Sequence, residues 1–352
     1  MSVTVHQRPG VYSAYDASSV VSGSNRGKVV GLAAVNTAVE AGVLHMITGY
    51  EQAVTVFGAD EGENMTALIR TALKNGAGAV AAVATADESG YEEAFSVLDE
   101  AEDVAVLLCG SVNLEVQQSL RDHAALASEA RRERIAVVAG SKDETVDQLI
   151  QRAGQLNHER VVLAAPGTVD GEGMAISGLL TAAALAGAIA GETDPALPIG
   201  GAVLLGLQGL EQRYSDNELD RLILGGVTPM ESAGGTVSVV RGVTTRTTTG
   251  GVADATWREL TTIRVVDDVI PTLRNALRAK FRRAKNTERS RGAIRAQVVL
   301  ELENKLAREI ITGYENVSVT ADSEDPTRCL VDFSFTVAHG LNQIWLTAHV
   351  KV

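Results

Sequence analysis

Val104-Ala-Val-Leu-Leu-Cys109, Ile135-Ala-Val-Val-Ala139 and Val161-Val-Leu-Ala-Ala165 are three short, uninterrupted apolar runs. Amphipathic segments separate them. Within Asn113 to Arg131, Val116, Leu120, Ala124 and Ala127 share one helical face; Val146, Leu149, Ile150 and Ala153 do so in the next segment. Strands buried on both faces lose the apolar–polar alternation, and connections of helical length make successive strands parallel. The pattern therefore predicts an α/β layer whose parallel-rich sheet is covered on both sides by helices. Toward the N-terminus, Lys28 to Val35 and Ala79 to Ala84 continue the series of strands. Met65, Leu68, Ile69, Ala72 and Leu73, then Tyr91, Ala94, Phe95 and Leu98, mark two more helices, the first ended by Asn75-Gly76. Beyond Ala165, Met174 to Gly191 carries no charge and sits at the lower limit for crossing a bilayer. Its Ala and Gly content predicts instead a buried helix packed closely against the sheet.

Further on, Ser215 and Glu218 form a capping-box pattern before Leu219, Leu222 and Ile223, with Gly225-Gly226 as the stop. Thr236 to Val243 and Trp257 to Val266 read as strands around a Thr/Gly loop, Thr244 to Gly251. Asp267 to Lys285 reads as an amphipathic helix with Asp267 and Asp268 at its start and Pro271 in its first turn. Its apolar face is Val269, Leu273, Ala276, Leu277 and Phe281. A helix over Ile294 to Ile311 follows, then strands at Val317 to Ala321, Leu330 to Ala338 and Gln343 to Val352. The last alternates cleanly and leaves a pairing edge that its own fold or a neighbouring chain must cover. Residues 1–27 lack the apolar mass for a core. The order is an arm at 1–27, an α/β core at 28–262 and an α+β C-terminal domain at 263–352.

Of 352 residues, 45% are hydrophobic and 21% charged, which excludes wholesale disorder. The net charge of -13 disfavours a nucleic-acid coat. Two cysteines, Cys109 and Cys329, share no metal spacing and make no disulfide framework, so synthesis in a reducing compartment is expected. No apolar targeting segment opens the chain. Gly23-Ser-Asn-Arg-Gly27-Lys28 misses the phosphate-loop spacing, puts Val29 where Ser or Thr is needed, and precedes a strand. The six histidines show no metal-ligand spacing with a third ligand nearby, and His123 reads as a packed imidazole. No Gly-x-Ser-x-Gly elbow is present. Between Arg274 and Arg291 stand eight basic residues against Glu288 alone. A solvated helix end, nucleic-acid binding without stacking aromatics, and docking to an acidic protein surface are the three readings of that cluster.

Several motifs taken in order resemble the contractile tail sheath family of phages and phage-tail-like bacteriocins. Arg8-Pro9-Gly10-Val11-Tyr12 is similar to the Pro-Gly-Val-Tyr opening of sheath arms. Ala186-Gly187-Ala188-Ile189-Ala190-Gly191-Glu192-Thr193-Asp194 resembles the segment in which Ala-Gly precedes an Asp. Ser215 to Leu222 with Gly225-Gly226-Val227, and Trp257-Arg-Glu-Leu-Thr-Thr-Ile263-Arg264 as a strand leading into a helix, resemble two further family segments. Pro195 to Gly201 and Thr228 depart from the family pattern and suggest a divergent branch among the shorter sheaths.

The resemblance implies a subtilisin-like α/β core without protease chemistry and extended N- and C-terminal arms that add strands to neighbouring subunits. Val11, Tyr12, Ile344, Leu346, Ala348 and Val350 are the expected exchange residues. It implies a helical homopolymer around an inner tail tube, with baseplate and tail terminator proteins as further partners, no nucleic acid and no direct membrane insertion. Arg274, Arg278, Lys280, Arg282, Arg283 and Lys285 are the expected tube-contact residues. Contraction needs no nucleotide or other cofactor. The expected location is a virion tail or bacteriocin-like particle assembled in the bacterial host cytoplasm. The alternative is a hydrolase-like α/β enzyme with an oligomerisation tail.

Overall fold

The computed structural model describes residues 28–101 and 103–349. In chain order the first half forms β1 (Val29–Val35), β2 (Leu44–Ile47), α1 (Tyr50–Phe57), α2 (Met65–Lys74), β3 (Ala79–Thr85), α3 (Tyr91–Val97), β4 (Val104–Cys109), α4 (Leu114–Glu129), β5 (Ile135–Ala139), α5 (Val146–Leu156) and β6 (Val161–Ala165). Then come α6 (Leu179–Gly191), β7 (Val203–Leu204), α7 (Asp216–Leu224), β8 (Val227–Ala233), β9 (Thr236–Val239), β10 (Thr248–Thr249) and β11 (Val252–Ala253). The chain continues through α8 (Leu260–Phe281), α9 (Glu288–Ala307), β12 (Ile311–Ala321) and β13 (Cys329–Val337).

Nine strands join in the order β2-β3-β1-β4-β5-β6-β8-β9-β7. From β3 to β8 every neighbour is parallel; β2, β9 and β7 add antiparallel margins. Period-two geometry explains the all-apolar runs. In β1, Val30, Leu32 and Ala34 enter the core under α1, α2 and α6, while Ala33 enters the core under α3, α4, α5 and α7. The parallel-rich sheet expected from 104–165 is present with both faces covered.

The uncharged helix lies inside the protein. Nearly all of α6 is buried, and it packs on α2 and the sheet. The small residues permit the approach: a Cβ built at Gly187 would press on the Ala72 carbonyl oxygen and reach within 2.9 Å of the Asn75 side chain. No helix among the described residues is long and apolar enough to cross a membrane.

Three sequence readings change. Trp257 to Val266 is not a strand: α8 already begins at Leu260, and Pro271 lies inside it rather than in a first turn. The β-branched run Thr261 to Val266 favours a strand locally. Helical spacing wins because Leu260 and Ile263 bury in the large core while Val265, Val269 and Leu273 bury in a second one. α9 starts earlier than Ile294, at a Thr287 N-cap whose hydroxyl accepts from the Ser290 N–H. It also stops earlier, so Ile311 opens a long strand instead of closing a helix. Gln343 to His349 forms no strand ladder, as no strand among the described residues pairs with it. The capping box at Ser215 and Glu218 forms as read.

Two guanidinium groups, Arg264 buried and Arg160 half-buried, fasten α8. Arg160 makes a two-pronged contact with Asp267, at 2.8 and 2.9 Å. Arg264 donates to the carbonyls of Leu197, Glu192 and Asp194, at 2.9, 3.1 and 3.1 Å. Burial pushes the Asp267 carboxyl above its ordinary range, opposed by the Arg160 charge and hydrogen bonds. Arg160→Ala strands that carboxylate and is expected to cost about 3–5 kcal/mol in denaturant unfolding; Arg160→Met with Asp267→Leu costs less. Gly187→Ala, forced against backbone, is expected to lose about 1–3 kcal/mol in the same assay.

Candidate interaction surfaces

At the carboxyl ends of parallel strands, where α/β sheets hold ligands, the side chains bond one another. Glu88 accepts from Ser111 Oγ at 2.7 Å and from Asn113 Nδ2 at 3.0 Å. Cys109 is fully buried, and burial pushes its thiol up to about 12. At the opposite, amino-terminal ends, His123 lies 3.4 Å from Asp99, whose carboxylate takes the wholly buried Arg134 at 2.6 Å; burial holds His123 below the usual imidazole value. Among the described residues, no three His, Cys, Asp or Glu side chains group as metal ligands.

The basic segment lies where α8 leaves the sheet. Arg278, Lys280, Arg282, Arg283 and Lys285 are exposed. Arg274 separates from them: it is half-buried and bound to Glu133 at 2.7 Å. Lys280 reaches Gln297 on α9. Cationic side chains at a helix C-terminus satisfy its dipole, so the position is favourable before any partner arrives. Arg274 and Arg278 also border a groove of about 880 Å³, shared with Lys28, Arg131, Arg132 and Glu133.

The second surface is β-structured. β12 and β13 form an antiparallel ribbon that joins no other strand among the described residues, so both outer edges are open. Val331, Phe333, Phe335 and Val337 alternate toward α8 and α9 but stay only half-buried. The chain then passes Pro198, touched by Gly340, and runs outward. Ile344, Trp345 and Leu346 are 81%, 90% and 90% exposed. Ala348 is exposed too, and Gln343 to His349 makes no ladder. Val11, Tyr12 and Val350 lie outside the described residues.

Sequence reading singled out the basic segment and the apolar tail. It read both strands of the ribbon, Val317 to Ala321 and Leu330 to Ala338, but began the first one late, because Ile311 was placed at the end of the preceding helix. The signal for the earlier start was present: Ile311 and Thr312 are both β-branched.

Two buried-thiol facts can be checked directly. In the native protein a maleimide at pH 8 is expected to label Cys329, which is half-buried, and to spare Cys109. Labelling of Cys109 should rise only as the protein unfolds; equal reaction of both thiols in the native state would contradict the core.

Comparison with known proteins follows the same lines. Residues 75–245 match the model of the phage tail sheath protein central domain, and residues 252–351 that of the phage tail sheath C-terminal domain. The tail sheath protein of Bacillus phage SP01 is 27% identical over 252 residues, 70% of this chain. The chain spans 43% of that relative's length. The contracted helical sheath of the anti-feeding prophage superposes with a TM-score of 0.73 at 16% identity, covering 99% of this chain and 100% of that one. The sheath tail protein of Desulfitobacterium hafniense gives 0.69 at 11% identity, covering 93% and 100%. The α/β core, the ribbon-bearing C-terminal part and both matched domains agree: the chain belongs to the phage tail sheath family, a structural family and not one of enzymes.

Proposed function

We propose that this chain is the subunit of a contractile tail sheath, which polymerises around an inner tube and contracts to drive the tube through a target cell envelope. The observation that carries this reading is an open-edged ribbon, β12–β13, in the same chain as an uncovered alternating apolar tail. Among the described residues, neither completes its hydrogen bonds or buries its apolar face. Strand addition completes both: Ile344, Leu346, Ala348 and Val350 of one copy enter beside the ribbon of another, with Val11 and Tyr12 from the N-terminal arm. Because donor and acceptor surfaces differ, the contact is heterologous, the kind that propagates as an open helix when its rotation does not close a ring.

In this reading residues 1–27 and the tail act as tethers through contraction, the segment 28–262 forms the outer core and 263–352 the linking domain. New subunit contacts supply the free energy, so no cofactor is required. Arg278, Lys280, Arg282, Arg283 and Lys285 face an acidic tube surface, with Arg274 positioning the helix end through Glu133. The groups are exposed and at one helix terminus, an arrangement suited to fixing register and speeding encounter. Baseplate and terminator proteins complete the partners; nucleic acid and direct membrane insertion have no part. The particle is a virion tail or bacteriocin-like machine assembled in the bacterial cytoplasm.

Electron microscopy of the chain co-expressed with its tube protein tests this. Wild type is expected to give tube-filled striated particles. Charge reversal at Arg278 and Arg282 should leave sheath-like polymers that are empty. Deletion of residues 1–20 or 341–352 should abolish the polymers. Tube-filled particles from the charge-reversed chain, or polymers from both deleted chains, would refute the respective assignments.

A further inference from the structure

At each edge of the nine-stranded sheet a side-chain carboxamide bonds one outward N–H and one outward C=O. At the β2 edge the strand geometry fixes which groups point outward. Asn36 N–H donates to the Thr85 carbonyl, so odd-numbered residues of β3 bond β1 and even-numbered ones bond β2. The antiparallel register sets His45 opposite Ala82 and Ile47 opposite Val80. The backbone groups of Met46 and Thr48 therefore face away from the sheet. Gln52, in the first turn of α1, takes both: its Nε2 donates to the Met46 carbonyl at 2.9 Å and its Oε1 accepts from the Thr48 N–H at 3.0 Å.

At the β7 edge the arrangement recurs with different residues. The Ala202 carbonyl accepts from Val239 N–H, so strand alternation turns Leu205 away from β9. Asn75, the C-cap of α2, donates to the Leu205 carbonyl at 2.9 Å and accepts from the Leu205 N–H at 2.7 Å. Each carboxamide makes the N–H and C=O bonds that an added strand would make.

Both edges would otherwise invite one. Val43, Met46 and Tyr50 are exposed beside the first, and Leu197, Val203 and Leu205 beside the second. An open edge flanked by apolar side chains is a template for pairing with another chain. The same molecule carries an exposed, alternating apolar tail. At the ribbon β12–β13, no side-chain amide among the described residues bonds both the N–H and the C=O of one edge in this way.

We propose that Gln52 and Asn75 are specificity-determining residues: they occupy the two edges of the central sheet and so direct added strands to β12–β13. The proposal rests on the strand-exchange reading of the tail. It is a case of a fold defending the wrong sites so that the right one is used.

The test is hydrogen exchange on the full chain with and without a synthetic peptide of residues 341–352, for wild type, Gln52→Ala, Asn75→Ala and the double variant. In wild type the peptide should protect β12 and β13 and leave Leu44–Thr48 and Val203–Leu205 unchanged. In the double variant it should slow exchange at those two edges by about tenfold, as a few added backbone hydrogen bonds would. Gln52→Leu keeps the bulk without the bonds and should behave like Gln52→Ala, which separates edge pairing from lost packing. Unchanged edge exchange in folded variants, with Cys109 still unreactive, overturns the proposal. Absence of ribbon protection in wild type defeats the strand-exchange reading instead; edge protection confined to the variants would then still establish the guards.

Discussion

The basic helix end and the β12–β13 ribbon both hang from one helix. α8 is 22 residues long, and its apolar positions serve two cores. Leu260 and Ile263 belong to the sheet's core; Val265, Val269 and Leu273 belong to the small core made with α9 and β12. A helix transmits orientation because bending it breaks backbone bonds, of which Pro271 forgoes one, and here the buried Arg264 and half-buried Arg160 guanidinium groups hold its root. Arg264 takes up the carbonyls after α6, and Arg160 grips Asp267. The basic end of α8 and the ribbon are thereby set at a fixed attitude to the nine-stranded sheet.

The division of labour between the parts follows from what each can bury. The α/β core largely satisfies itself: its strands are covered on both faces, and a side-chain carboxamide bonds an outward N–H and C=O at each edge. The C-terminal part does not. Its small core leaves Phe333 and Phe335 half-covered, their rings stacked 6.2 Å apart, on a ribbon of only two strands. A two-stranded ribbon is marginal by itself and here leans on α9. Rigidity sits in one region and unmet bonding capacity in the other, which is the distribution a polymerising subunit requires.

How much of this was legible in the sequence depended on whether local pattern and tertiary packing agreed. In the runs Val104–Cys109, Ile135–Ala139 and Val161–Ala165 they agree, so the sheet could be read directly. At Thr261–Val266 they conflict: β-branched residues suggest a strand, while burial on two sides of a helix decides otherwise. β2 and β8 escaped because they are mixed; β8 even contains Pro229. The basic residues of the candidate surface were visible as composition, but Arg274 differs from its neighbours only through Glu133, which is remote in sequence. No pattern announces that Gln52 and Asn75 lie along sheet edges, since that depends on register.

The uncovered ribbon and tail have a consequence for the free subunit. Under the strand-exchange proposal, a molecule that carries both halves of an unfinished sheet is its own precipitant. Its solubility has a ceiling set by mass action: above it, added protein goes into chains rather than into solution, and the pool of loose subunits stays nearly constant. Supply of the chain then controls how much polymer is made, and leaves its ambient concentration almost untouched.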